Sequence, residues 1–145
     1  MKELSAPDIL SLLDNENISQ PKVLIIEDCT SDTVLIKATI NSFYSYALID
    51  DATTKEEAIS KLSAHNYDLI FLDLKLPDTQ GLSDIGEIRE RCKETPLIIV
   101  TGFLDKETKD TAKKFKVNGI ISKAELANTE LKKLLEDAVD NIIFA

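Results

Sequence analysis

Asp73 closes the apolar run "YDLIFLD", and four other polar groups take the same place after other apolar runs. Glu27 and Asp28 follow "KVLII", Thr101 ends "LIIVT", and Lys123 follows "GIIS". Three carboxylates gathered at one spot cannot all stay ionised without compensation, so either one takes up a proton or a cation enters. A hard divalent ion with oxygen ligands, Mg²⁺ above all, meets that need, because it binds through one or two carboxylates and keeps room for waters and phosphate oxygens. Asp73 is then free to act as a nucleophile towards a phosphoryl group. Lys123 would supply positive charge and Thr101 a hydrogen bond to the transferred group. A single strand-end aspartate has a plainer reading, since it commonly caps a turn or faces water. Five compatible groups at four strand ends are harder to explain that way.

The elements that must position these groups follow from patterning. Four runs, "KVLIIED", "YDLIFLD", "PLIIVTG" and "GIISK", are uniformly apolar rather than alternating, as strands covered on both faces are. A weaker run, "SYALID", reads as an edge strand ending in Asp50 and Asp51, away from the site. Helical spacing occupies 33–41, 54–62, 82–92, 106–115 and 124–143 between and after them. Strand and helix alternate five times, which predicts an α/β fold with a parallel sheet and right-handed crossovers. In such a sheet the ligand site lies outside the carboxyl ends of the strands, where the polar groups stand.

The 145 residues fit one domain, and 43% hydrophobic residues suffice for a core. Residues 1–20 form an extension: "SAPD" offers a capping box before the cluster Ile9, Leu10, Leu12 and Leu13, which predicts one short helix and a polar linker ahead of a domain at 21–145. The net charge of -9 argues against binding nucleic acid or an anionic membrane. Cys29 and Cys92 are too few for a disulfide framework and lack metal-site spacing, which points to the cytoplasm. His65 stands alone before a strand and is assigned no role.

In combination, "ED" at 27–28, "LDLKLPDTQG" around Asp73, "VTG" around Thr101 and "SK" at Lys123 resemble the receiver domains of two-component response regulators. The resemblance implies a flavodoxin-like (βα)5 doubly wound sheet with strand order 2-1-3-4-5. It further implies phosphorylation of Asp73 by a histidine kinase or phosphotransfer protein and Mg²⁺ held by Glu27, Asp28 and Asp73. The backbone carbonyl of Lys75 would be a further metal ligand, and Thr101 and Lys123 would lie on the phosphoryl group. A domain of this kind is not an enzyme acting on others; it catalyses only its own phosphorylation and dephosphorylation. Three features depart from the family pattern: Ile120 where many receivers carry an aromatic residue, Ala124 rather than proline after Lys123, and Gly102 where alanine is commoner. The Lys123–Ala124 peptide is accordingly expected to be trans, because a cis bond before a non-proline residue costs roughly 2.5 to 4 kcal/mol.

Signal output is expected through contact with a downstream protein target. Val139, Ile143 and Phe144 exceed what one buried helical stripe needs, and either pack on the N-terminal cluster or form a patch for a homodimer or partner. Two rival readings are a degenerate receiver serving as an interaction module and an Mg²⁺-dependent phosphohydrolase of similar fold. The first should lack a site residue, and none is missing. The second, in its haloacid dehalogenase form, needs a carboxylate two residues after its nucleophile, where this chain has Lys75.

Overall fold

The computed structural model describes residues 20–126. In chain order they form β1 (Lys22–Ile26), α1 (Thr30–Phe43), β2 (Leu48–Ala52), α2 (Lys55–Ala64), β3 (Leu69–Asp73), α3 (Ser83–Arg91), β4 (Leu97–Thr101), α4 (Lys106–Lys114), β5 (Gly119–Ser122) and α5 (Lys123–Leu126). The expected N-terminal helix, the rest of the last helix and the patch at Val139, Ile143 and Phe144 lie outside the described residues.

The five strands form one sheet in the order β2-β1-β3-β4-β5, and every pairing is parallel, as the flat apolar runs predict. Alternate residues of each strand face opposite sides, and each side has its own core. Leu24, Ile26, Ile70, Leu72, Leu97 and Ile99 pack with Ala58 of α2, Ile85 and Ile88 of α3 and Ala112 of α4. Val23, Ile25, Leu69, Phe71, Ile98 and Val100 pack with Ile36 and Ile40 of α1. Helices therefore cover both faces, which is why β3 and β4 are buried along their whole length. Each fully buried leucine or isoleucine contributes about 1.5 to 3 kcal/mol, so this two-sided packing is the main support of the fold.

Two expectations shift by a few residues. The edge strand begins at Leu48 and runs through Asp50 and Asp51 to Ala52, because its register is set by pairing with β1. The two aspartates are therefore inside the strand and serve packing: Asp50 accepts a hydrogen bond from Tyr67 Oη at 2.6 Å, and Asp51 pairs with Lys37 at 2.6 Å. Helix α1 is longer than 33–41 because it starts directly after β1, with Thr33 N bonded to Cys29 O.

At the sheet edge opposite the site, Arg89 at the end of α3 gathers several acceptors. Its guanidinium donates to Thr95 O at 2.7 Å, Lys116 O at 2.7 Å, Asn118 Oδ1 at 2.9 Å and Phe115 O at 3.2 Å. Asn118 Oδ1 also accepts from Leu97 N at 2.9 Å, so one fork fixes the α4–β5 turn against the start of β4. That turn needs a clamp, since Lys116 adopts a φ of 55°, a left-handed conformation costly for a residue with a Cβ. Replacement Arg89→Ala is expected to lower unfolding free energy by about 2 to 3 kcal/mol in urea denaturation. Arg89→Lys should recover less than half of this, because an ammonium cannot form the planar fork.

Candidate functional site

Strand register determines what meets at the carboxyl edge. Ile26 is aligned with Leu72 and Asp73 with Val100, so Glu27 leaves β1 beside Asp73, and Thr101 extends β4 one residue further. Lys123 enters from the end of β5, where Ser122 is aligned with Thr101. Carboxylate oxygens of Glu27, Asp28 and Asp73 lie within 4.8 Å of one another. Glu27 and Asp73 are each only 2% exposed, whereas Asp28 is open to solvent.

One ammonium holds this cluster together. Lys123 Nζ lies 3.1 Å from Glu27 Oε1 and 3.4 Å from Asp73 Oδ2. Its shortest ion pair, however, is to Asp32 Oδ2 in the first turn of α1, at 2.8 Å. Asp32 did not stand out in the sequence, because it ends no strand and an acid in a first helical turn is ordinary. Burial opposes the charge on Lys123, but hydrogen bonds to Asp32 and Glu27 and the attraction of Asp73 outweigh it and hold the ammonium above its usual range. The same bond from Lys123 holds Asp32 below the ordinary carboxylate range.

The remaining contacts are local. Glu27 Oε1 accepts from Cys29 N at 3.1 Å, and Asp73 Oδ1 from Lys75 N at 3.2 Å. Thr101 is buried with its hydroxyl turned back on its own loop, donating to Phe103 O at 3.0 Å and accepting from Phe103 N at 3.3 Å. The side chains of Lys75 and Phe103 are exposed. The Lys123–Ala124 peptide is trans, and a Cβ added at Gly102 would meet nothing within 4 Å, so an alanine would fit there.

The loop after Asp73 is tied down by contacts that sequence spacing does not reveal. Asp78 accepts from Lys55 N at 2.7 Å and Glu56 N at 3.0 Å, capping the start of α2. Buried Asp84 accepts from Thr79 Oγ1 at 2.6 Å and from Lys55 Nζ at 3.1 Å, and Lys55 also pairs with Glu87. Gly81 turns the chain into α3 at a φ of 95°, a conformation that L side chains rarely adopt.

The donor set suits a hard cation. It is all oxygen, it carries more negative charge than Lys123 balances, and Glu27 Oε2 is buried with no hydrogen-bond partner. Without a cation, burial and the neighbouring Asp73 carboxylate push the Glu27 pKa from 4.5 up to about 7. A folded-state pKa above the unfolded value means that the folded chain binds an extra proton between the two. Stability from this source is complete below the unfolded pKa and is lost as pH rises through the folded one. In the presence of a chelator, unfolding free energy should therefore fall between about pH 5 and about pH 8, and Glu27→Gln should flatten that fall. Urea titrations of both proteins across this range check it; equal slopes would contradict the burial of a strained Glu27.

Comparison with known proteins identifies the family and the fold. Residues 23–136 match the model of the response regulator receiver domain. The chain is 37% identical over 86 residues to the transcriptional regulatory protein ResD of Bacillus subtilis (strain 168), covering 59% of this chain and 35% of that protein. It therefore spans about a third of ResD, and the expectation of no nucleic-acid partner gains nothing from a relative so named. Among solved structures, the phosphorylated cyanobacterial phytochrome response regulator RcpA superposes with a TM-score of 0.68 at 23% identity, over 86% of this chain and 91% of that one. The Mn²⁺-bound form of response regulator Rcp1 gives 0.67 at 20% identity, over 81% and 90%. The flavodoxin-like order of five parallel strands, the acidic strand ends and the match over 23–136 together make this chain a member of the response regulator receiver domain family.

Proposed function

We propose that this receiver is a phosphoacceptor: Asp73 takes a phosphoryl group from a phosphohistidine of a histidine kinase or phosphotransfer protein. The carrying observation is a buried Asp73 whose carboxylate faces those of Glu27 and Asp28 within 4.8 Å and the Lys123 ammonium at 3.4 Å. An oxygen of Asp73 attacks phosphorus as the P–N bond to an imidazole ring protonated on its other nitrogen breaks; the leaving nitrogen keeps the bonding pair, the ring departs neutral, and an acyl phosphate forms on Asp73. Lys75 N, already bonded to Asp73 Oδ1, orients the carboxylate for this attack. Lys123 offsets charge on the phosphoryl oxygens, and Thr101 reaches them by releasing Phe103 O. Glu27, Asp28, Asp73 and the Lys75 carbonyl would hold Mg²⁺, which when bound supplies charge neutralisation to the phosphoryl oxygens.

The Mn²⁺-bound state of Rcp1 and the phosphorylated state of RcpA support the same reading, at the level of fold. The receiver would begin at Pro21, act in the cytoplasm and signal through a protein partner. No helix among the described residues is long and apolar enough to cross a membrane. A phosphohydrolase reading is disfavoured by the exposed Lys75, which cannot serve as an acid catalyst two residues after the nucleophile.

Intact-mass measurement after treatment with a small acyl phosphate and Mg²⁺ tests this. Wild type should gain one phosphoryl group, Asp73→Asn none, and Asp28→Asn should gain it slowly with a weakened dependence on Mg²⁺. A modified Asp73→Asn protein, or a wild type that stays unmodified, would overturn the reading.

A further inference from the structure

We infer that Asp32 is a latch on Lys123: it holds the ammonium in the unmodified receiver and must yield it when a phosphoryl group arrives on Asp73. This rests on the phosphoacceptor reading above and assigns a role to a residue that it leaves outside the site. The geometry is a competition for one cation among three carboxylates, Glu27 just after β1, Asp73 at the end of β3 and Asp32 in α1. Asp32 has the shortest contact, 2.8 Å, against 3.1 Å for Glu27 and 3.4 Å for Asp73. Lys123 thus lies nearest the one partner that takes no part in the transfer.

The three partners also differ in solvation. The side chains of Glu27 and Asp73 are each 1% exposed, but that of Asp32 is 26% exposed. A partly solvated carboxylate can be left by its partner at small cost, since water replaces the lost contact, whereas a buried one cannot. The Asp32 pair is therefore the one that breaks when a more highly charged group competes. A phosphoryl group on Asp73 brings about two negative charges in place of one, enough to draw the ammonium across. Helix α1 would lose a tie to Lys123 at the start of α5 in the same event, which couples the state of Asp73 to the fit of α1 against the carboxyl edge of the sheet.

Removing the charge on Asp32 should make the phosphorylated state easier to reach. An ion pair between two partly solvated side chains is a weak restraint, so Asp32→Asn is expected to tighten binding of beryllofluoride, a phosphoryl mimic, by roughly two- to fivefold at saturating Mg²⁺. Binding is read by fluorine NMR of the full chain. Direct repulsion between Asp32 and the anion would give the same sign, and a double-mutant cycle separates the two. With Lys123→Met as background, Asp32→Asn should have no effect if it acts through the ammonium, and an undiminished effect if it acts by repulsion. Should Lys123→Met bind beryllofluoride too weakly to measure, rates of phosphoryl uptake from a small acyl phosphate, followed by intact mass, complete the cycle with the same signs. A wild type that neither binds beryllofluoride nor takes up phosphoryl overturns the phosphoacceptor reading and this inference with it. A reactive wild type with an Asp32→Asn variant that is unchanged or weaker, or with equal gains in both backgrounds, overturns the latch alone.

Discussion

Two carboxylates almost without solvent, Glu27 and Asp73, share a single ammonium, and the design of the carboxyl edge follows from that imbalance. A buried charge is tolerated only when paired and hydrogen-bonded, and Lys123 cannot fully pair with both while Asp32 also holds it. The deficit appears in the orphaned Glu27 Oε2 and in the upward push on the Glu27 carboxyl. Such a site is poised: a proton, a divalent cation or a redistribution of Lys123 each relieves it, and the last two are what the proposed phosphoryl transfer would bring.

Holding that strain requires rigid supports, and the parallel sheet supplies them. The strands that carry Glu27, Asp73 and Thr101 are neighbours in the order β1-β3-β4, each packed on both faces, so the backbone beneath the cluster has little freedom to relax. The loop leaving Asp73 is secured at its far end by Asp78 on the start of α2 and by the Lys55, Asp84 and Thr79 contacts. Lys75, whose amide bonds Asp73, is thereby carried on a segment fixed at both ends. The Arg89 clamp does comparable work at the opposite edge, where it stabilises the turn into β5, the strand that delivers Lys123.

The contrast between Glu27 and Asp28 illustrates how burial divides labour between adjacent acids. Both end the same strand, yet Glu27 points into the edge and Asp28 into solvent. The buried carboxylate pairs with Lys123 and feels Asp73, while the exposed one keeps water at hand. A hydrated divalent ion is suited by that combination, since it retains waters on one side while meeting protein oxygens on the other.

Much of this was legible in the chain itself. The apolar runs without alternation could be accommodated only between two layers of helix, and the side-chain groups at their ends had to meet at one edge because parallel strands all point the same way. Glu27, Asp28, Asp73 and Lys123 were therefore identifiable from position alone, and the structure brings them together. The hold of Asp32 on Lys123, the turn of the Thr101 hydroxyl towards Phe103, the capping of α2 by Asp78 and the placing of Asp50 and Asp51 within β2 were not. Periodicity reports which face of an element is buried, a local property of sequence. Which side chains of separate elements touch depends on register, helix angle and rotamer, and these are decided only when the packed layers compete for the same space and the same few charges.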